Sequence, residues 1–214
     1  MDPAELMDEL ARHRLVAIIR GRDADAAVAT AETLAECGVA VLEVSLTTVD
    51  ALGVIRRLAR TLGPGVRLGA GTVLSADDAR AAHDAGATFA VTPALGDGVA
   101  AAVELGMPVL AGAMTPTEVH GAVRAGATAV KVFPADGLGP RHVRALRDPF
   151  PGVGFVPVGG VTLADVPAFL DAGAVAVGVG SPLCGDAPHG GDLGALRGRA
   201  AAFVDVVARD AVAR

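Results

Sequence analysis

A repeating unit runs along the chain, in which a helical pattern ends at glycine and a short apolar run follows. It is seen in ETLAECG-VAVLEVSL, ARAAHDAG-ATFAVTP and AFLDAG-AVAVGVGS. Glycine after a helical segment supplies a left-handed C-cap. Short apolar runs without strict alternation are typical of strands that are buried on both faces. The pattern therefore predicts a parallel sheet covered by helices.

Eight apolar runs are predicted to be strands: residues 15–20, 41–46, 66–73, 89–94, 108–113, 129–135, 154–160 and 174–181. Helical patterns separate them, and Ser75, Thr115 and Thr162 are candidate N-caps. Further helices are predicted over residues 3–13, covering the N-terminal end of the sheet, and over 192–208. Residues 185–191 are interpreted as a polar loop. Eight strands alternating with helices favour a closed α/β fold, a single-domain (β/α)8 TIM barrel over residues 1–214, rather than an open doubly wound sheet.

Composition and charge argue against several classes of function. Of the 214 residues, 52% are apolar but only 3% are aromatic, so Ala, Val and Leu must fill the core. A formal net charge of −6 argues against binding to nucleic acid or to an anionic membrane. The N-terminal MDPAELMDEL lacks the basic start and apolar run of a signal peptide. No apolar stretch approaches the ~20 residues of a membrane span, so we expect a soluble cytoplasmic protein.

Cysteine and histidine provide no predicted metal site. Cys37 and Cys184 have neither metal-ligand nor disulfide spacing, and we interpret them as small buried side chains or surface thiols. Four histidines fall in predicted helices and one in the 185–191 loop, and all are interpreted as surface residues: His13, His83, His120, His142 and His189. We therefore predict no metal and no cofactor.

Two ionisable residues interrupt apolar strands, near the C-terminal strand ends where barrels of this kind carry their functional groups. Lys131 lies in ATAVKVFPAD and Glu43 in VLEVSLTT. Lys131 is either a rim residue that extends to solvent or a Schiff-base lysine, whose attack on a ketone needs the neutral amine that an apolar interior favours. Glu43 is either the ion-pair partner of that lysine or the proton shuttle of aldolase chemistry.

Other strand ends carry candidate binding residues. Arg20 ends the first strand, and Gly71 and Thr72 lie in LGAGTVL. The forked donors of Arg and the hydroxyl of Thr can hold a carboxylate. Pro93 is either an apolar wall or a strand stop. The ends of the last two strands are a candidate phosphate site, with tight turns as the alternative: Gly159, Gly160, Gly180 and Ser181.

Taken together, these segments resemble the aldolases for 2-keto-3-deoxy-6-phosphogluconate and its galactonate epimer. AIIRG, LEVSL, GAGTVL, VTP, VKVFPA, VGGVT and GVGS occur in that family's order over about residues 15–183. The resemblance implies a metal-free, homotrimeric (β/α)8 barrel. It further implies a class I lyase that cleaves a small phosphorylated keto acid to pyruvate and glyceraldehyde 3-phosphate.

The resemblance also implies roles for individual residues. Lys131 matches the Schiff-base lysine, and Glu43 matches the general acid and base. The residues that match the pyruvate pocket are Gly71, Thr72, Pro93 and Phe133, and those that match the phosphate loops are Gly159, Gly160, Gly180 and Ser181.

The chain departs from the gluconate-type members at Thr47, where they carry arginine. Galactonate-type members also lack that arginine and carry the AIxRG segment, so we interpret Arg20 as the residue that takes over the anion contact. Three alternatives stay open. The first is an aldolase for 4-hydroxy-2-oxoglutarate-type keto acids. The second is a phosphosugar isomerase or epimerase that uses Glu43 as its base. The third is a catalytically silent binding barrel.

Overall fold

Helices and strands alternate along the chain in the computed structural model, which describes residues 1–212. The strands are β1 (Leu15–Ile19), β2 (Val41–Ser45), β3 (Arg67–Gly71), β4 (Phe89–Val91), β5 (Val109–Ala113), β6 (Ala129–Val132), β7 (Phe155–Pro157) and β8 (Val177–Val179). The helices are α1 (Pro3–His13), α2 (Ala24–Glu36), α3 (Ala51–Thr61), α4 (Ala76–Ala85), α5 (Asp97–Glu104), α6 (Pro116–Arg124), α7 (Gly139–Arg147), α8 (Val166–Asp171), α9 (Ser181–Cys184) and α10 (Leu193–Val212). A 3-10 turn, Ala187–His189, lies between α9 and α10, and we call it the β8 turn.

The strands form a parallel sheet whose two ends meet. Each strand from β1 to β6 pairs with the next one in chain order, and β8 pairs with β1. A bridge between Val158 and Gly178 joins the chain just after β7 to β8. This order confirms the predicted (β/α)8 barrel, and α1 is the predicted extra helix at its N-terminal end.

Several strands are shorter than the sequence predicts, because the chain leaves the sheet to form loops. Thr72, placed inside the predicted strand 66–73, follows β3 with a φ of 61°. The predicted strand 154–160 contains only the three residues of β7, and Gly159 and Gly160 beyond it have φ values of 97° and 74°. The predicted strand 174–181 contains only β8, and Ser181 begins α9.

Local interactions fix the ends of several helices. Ser75 and Thr115 cap α4 and α6 in reciprocal capping boxes, which confirms both predictions. The prediction for Thr162 is wrong, because Asp165 is the N-cap of α8 and Thr162 donates to its carboxylate. The interpretation of residues 185–191 as a polar loop also needs correction, since the β8 turn buries Ala187 and Pro188.

The apolar core has two layers. An outer layer between the strands and the helices is built largely from Ala, Val and Leu, as the composition predicts. An inner layer fills the barrel and includes Val41, Phe89, Leu110 and Val156. Close packing around these side chains leaves room for ligands mainly at the open end of the barrel.

Helix α1 closes the other end of the barrel. Leu6 and Leu10, both completely buried, join the inner layer. The buried Glu9 carboxylate lies 3.4 Å from Nη2 of Arg67, the first residue of β3, and 3.3 Å from His13 Nε2. Apolar contact and this ionic contact therefore hold the helix in place. Within residues 1–212, no helix has the length and apolar character needed to cross a membrane.

Candidate active site

A cleft of about 650 Å3 opens at the C-terminal ends of the strands. Among its lining residues are ten that the sequence predicts as functional: Arg20, Glu43, Thr72, Pro93, Lys131, Phe133, Gly159, Gly160, Gly180 and Ser181. A cavity of about 110 Å3 near Arg12 and His13 lies at the opposite end. Ligand pockets usually exceed about 300 Å3, so the cleft is the candidate active site.

Lys131 and Glu43 lie inside the barrel, each as the third residue of a strand. Lys131 is in β6 and is 5% exposed, and Glu43 is in β2 and is 2% exposed. Lys131 is also the only lysine in the sequence. A rim lysine would extend its amine into solvent, whereas this one is buried and lines the cleft.

The Glu43 carboxyl has an unusual environment for an acidic residue. Burial raises its pKa above the ordinary 4.5, and attraction to Lys131 and Arg20 opposes that rise without cancelling it. In the described part of the chain, no hydrogen bond or salt bridge joins Glu43 directly to Lys131. The direct ion pair considered from the sequence is therefore not formed, and the two groups interact across space within one cleft.

Phe133 forms a wall of the cleft beside the lysine. The Lys131 Nζ atom lies 5.2 Å from the centroid of the Phe133 ring, within the range of a cation–π contact. The ring also packs against Gly159, where an added Cβ would come within 3.1 Å of it. The phenyl group thus links the lysine to the loop that follows β7.

Three hydroxyl groups form a chain at the ends of β2 and β3. Ser45 Oγ lies 2.8 Å from Thr47 Oγ1 and 2.9 Å from Thr72 Oγ1. Ser45 is fully buried, and both threonines line the cleft. Thr72 has a left-handed backbone, which is rare and strained for a β-branched residue. The hydrogen bond with the buried Ser45 helps to hold the Thr72 hydroxyl in position.

Gly71 is the one predicted site residue that does not line the cleft. It is buried at the end of β3, where an added Cβ would collide with the Glu43 carboxyl. Gly69 similarly leaves space for the Phe89 ring. Gly71 therefore contributes to the site by leaving room for Glu43. Its predicted contact with a substrate carboxylate stays a prediction.

Arg20 and Pro93 flank the cleft at other strand ends. Arg20 follows β1 and is exposed, and its charge acts on the buried Glu43 carboxyl. Pro93 follows β4, and its backbone approaches Gly112 of β5 so closely that a side chain at Gly112 would collide with it. This contact fixes the position of Pro93 as an apolar lining residue.

The loops after β7 and β8 line the cleft with Gly159, Gly160, Gly180 and Ser181. The positive φ of Gly159 and Gly160 favours glycine at both positions. A side chain at Gly160 would also collide with Asp136, and one at Gly159 would make a tight contact with Phe133. Within residues 1–212, the amides of Gly160 and Ser181 have no intramolecular hydrogen-bond acceptor. Unpaired amides of this kind can bind phosphate oxygens.

Sequence reasoning missed several residues in and behind the cleft. Ser45 could have been suspected only as a polar residue in an apolar strand. His189 is exposed, as predicted, but it lies in the β8 turn and lines the cleft. Cys184 also lines it, but burial raises the pKa of its thiol to about 12, so it is a poor nucleophile. Cys37 is partly buried at the end of α2. In the described part of the chain, no cluster of three or more His, Cys, Asp or Glu residues could hold a metal.

Comparison with known proteins identifies the family of the chain. The family model for KDPG and KHG aldolase matches residues 6–192. A 2-dehydro-3-deoxy-phosphogluconate aldolase from Pseudomonas aeruginosa is 38% identical over 77% of this chain and 76% of its own. A 2-dehydro-3-deoxy-6-phosphogalactonate aldolase from Escherichia coli is 34% identical over 79% of this chain and 83% of its own.

A solved structure of an aldolase is also similar to this chain. KDPG aldolase from Legionella pneumophila, with pyruvate captured as a covalent carbinolamine intermediate, has a TM-score of 0.80 and 25% identity to this chain. The match covers 96% of both chains. The chain therefore belongs to the KDPG and KHG aldolase family.

Proposed function

We propose that the protein is a class I aldolase that cleaves 2-keto-3-deoxy-6-phosphogluconate, or its galactonate epimer, to pyruvate and glyceraldehyde 3-phosphate. The observation that carries the proposal is the one lysine of the chain, buried inside the barrel in the same cleft as Glu43. An amine that forms an imine and a carboxyl that transfers protons are the two groups this reaction requires. Family membership supports the same reaction.

The reaction begins with imine formation. The neutral Lys131 amine attacks the C2 ketone to give a carbinolamine, which loses water to form an iminium ion. Glu43 then removes the C4 hydroxyl proton, and a C4 carbonyl forms as the C3–C4 bond breaks. The electron pair of that bond moves to the iminium nitrogen and leaves an enamine. Because burial raises the pKa of Glu43, the carboxyl can accept and return a proton nearer to neutral pH than an exposed glutamate could.

The second half of the reaction returns Lys131 to its starting state. Glyceraldehyde 3-phosphate leaves, and Glu43 delivers its proton to C3 of the enamine. Water then hydrolyses the resulting pyruvate iminium and releases pyruvate. Every atom in this scheme comes from the substrate, the two side chains or water, so no cofactor is required.

Residues around the pair hold the two ends of the substrate. In the proposed arrangement, Arg20 and the Thr72 hydroxyl bind the carboxylate, with Gly71 beneath, while Pro93 and Phe133 enclose the pyruvate portion. The phosphate binds the backbone N–H groups of the loops after β7 and β8: Gly159, Gly160, Gly180 and Ser181. Binding energy at that distant phosphate helps to orient the C3–C4 bond for cleavage.

The proposal extends to the state of the protein in the cell. The family resemblance indicates a homotrimer and a cytoplasmic metabolic enzyme. We also propose that residues 1–214 are one domain.

Borohydride trapping with pyruvate tests the proposed chemistry. The N-terminus and Lys131 are the only primary amines of the chain, so intact mass and peptide mapping can assign an adduct without ambiguity. We expect one pyruvate-derived adduct on Lys131 and none in Lys131→Arg, which keeps a cation at the position. Lys131→Arg should also lose at least about a thousandfold in kcat.

An active, folded wild-type protein that forms no adduct would contradict the imine. In that case the isomerase or epimerase reaction, with Glu43 as base, becomes the better explanation. If the adduct forms, cleavage assays with both epimers and with 4-hydroxy-2-oxoglutarate establish the substrate. Binding of these acids without turnover would indicate a catalytically silent barrel.

A further inference from the structure

The β8 turn reaches from the end of β8 to the chain that follows β1. Its Pro188 packs on Gly21, where an added Cβ would lie 2.9 Å from Pro188 Cβ. Pro188 is itself buried. Replacing Gly21 would therefore push the turn away, and the glycine lets it close the rim of the cleft between β8 and β1.

This contact positions the imidazole of His189. The backbone N–H of Arg22 donates to His189 Nδ1 at 3.2 Å. An Nδ1 atom that accepts a hydrogen bond carries no proton, so the neutral ring holds its proton on Nε2. Within the described residues, Nε2 has no hydrogen-bond partner, although His189 lines the cleft. The ring thus offers the cleft a donor of fixed tautomer.

The position of His189 indicates which part of a ligand it meets. The β8 turn follows β8 and α9, so His189 is on the side of the cleft formed by Gly180 and Ser181. Arg20 and Arg22 line the same side. Lys131 and Glu43, by contrast, belong to β6 and β2 and are buried inside the barrel. A ligand that reaches from the lysine to this rim therefore presents its far end to His189.

We infer that His189 is a substrate-binding residue whose Nε2–H donates to the phosphate group of the bound sugar acid. The inference rests on the proposed function and extends it, because it adds a side-chain donor to the backbone amides of the phosphate loops. His189 therefore contributes to specificity. It strengthens the binding of substrates that carry a phosphate group and does not affect binding of the pyruvate portion.

Kinetics of His189→Ala with matched substrates test this inference. The rates to compare are those for the 2-keto-3-deoxy-6-phospho acids and for the same keto acids without phosphate. We expect kcat/KM for the phosphorylated substrates to fall about tenfold or more, as for loss of one charge-assisted hydrogen bond. The value for the unphosphorylated substrates should stay unchanged. Inhibition by inorganic phosphate should weaken in parallel.

Two further variants separate binding from structure. His189→Gln can place an amide N–H near the position of Nε2 and should restore part of the lost preference. His120→Ala removes an exposed histidine of α6 and should have no effect. An equal loss on phosphorylated and unphosphorylated substrates, or no loss on either, would overturn the role of His189. Failure of pyruvate trapping on Lys131 in the wild type would instead overturn the proposed function itself.

Discussion

The ionisation of the buried Glu43 carboxyl is coupled to the stability of the barrel. Burial raises the pKa of its carboxyl, so the folded protein holds this proton more tightly than the unfolded chain does. The favourable contribution of the protonated group is fully present at low pH. It is lost as pH rises from the unfolded value, near 4.5, through the raised folded value. Ionisation of this carboxyl, which the proposed mechanism requires, therefore destabilises the fold.

We predict that Glu43→Gln removes this loss. Glutamine cannot ionise, so the variant should gain stability relative to wild type as pH increases. The measurement is the free energy of unfolding in urea, from about pH 4 to about pH 8, for both proteins. A difference that does not change with pH would show that the ionisation of Glu43 is not linked to folding. Aldol cleavage should be lost in the variant at every pH.

Thr72 is a second residue at which the proposed function and stability oppose each other. Its left-handed backbone costs a β-branched residue on the order of 1–2 kcal/mol. We predict that Thr72→Gly is more stable than Thr72→Ala by about 1 kcal/mol, because only alanine keeps a Cβ at this φ. Both variants lose the hydroxyl and should lose about tenfold or more in kcat/KM.

Unfolding and steady-state assays on both Thr72 variants check this prediction. If the alanine variant were at least as stable as the glycine variant, strain at this position would be excluded. Unchanged kcat/KM in both variants would remove the hydroxyl from substrate binding.

The sequence revealed some site residues because their chemistry conflicts with their surroundings. A lysine or glutamate inside an apolar run is conspicuous, so Lys131 and Glu43 could be selected directly. Ser45 carries no such signal, since a hydroxyl fits a strand without a special role. The position of His189 depends on contact between the β8 turn and Gly21, which are far apart in the sequence. Local pattern alone could not supply it.

At the scale of elements, helix α1 stabilises the N-terminal end of the barrel. Its apolar positions insert Leu6 and Leu10 into the inner core, while Glu9 contacts Arg67 at the start of β3. Its helical pattern predicted its existence and its place. The apolar runs predicted strands that are buried on both faces. They did not predict the exact strand ends, because these depend on where the loops turn.

We predict that Leu10→Ala destabilises the protein by about 2–5 kcal/mol, as for loss of a fully buried leucine. Asp8→Ala, on the exposed face of the same helix, should change stability by no more than about 0.5 kcal/mol. Chemical denaturation of the two variants measures both values. Equal effects would mean that α1 does not contribute to the cooperative core. Pyruvate trapping by the folded fraction of Leu10→Ala should remain normal.

At the scale of the whole molecule, local charge and net charge have opposite signs. The chain carries a formal charge of −6, yet Lys131, Arg20 and Arg22 all line the cleft. Local positive charge of this kind attracts an anionic ligand to one place on an otherwise acidic surface. The sequence could predict a local positive site, because a protein of negative net charge needs one to attract an anionic substrate.

We predict that the native protein in solution has about three times the 21.2 kDa mass of the chain. Apolar side chains on the surface support association. Leu74 is 59% exposed, and Leu95 is 38% exposed and packs beside Gly121 of α6. Sedimentation equilibrium at micromolar concentration measures the mass. A value equal to that of one chain would reject the trimer.

The closed lower end of the barrel also has a consequence for the order in which products depart. With α1 filling that end, ligands enter and leave through a common opening. In the proposed mechanism, the pyruvate part remains attached to Lys131 inside the barrel, while the phosphorylated fragment lies toward the rim. The aldehyde must therefore leave the cleft before water can reach the imine and release pyruvate. In the direction of synthesis, pyruvate must bind before the aldehyde. The closed lower end therefore predicts an ordered mechanism of binding and release.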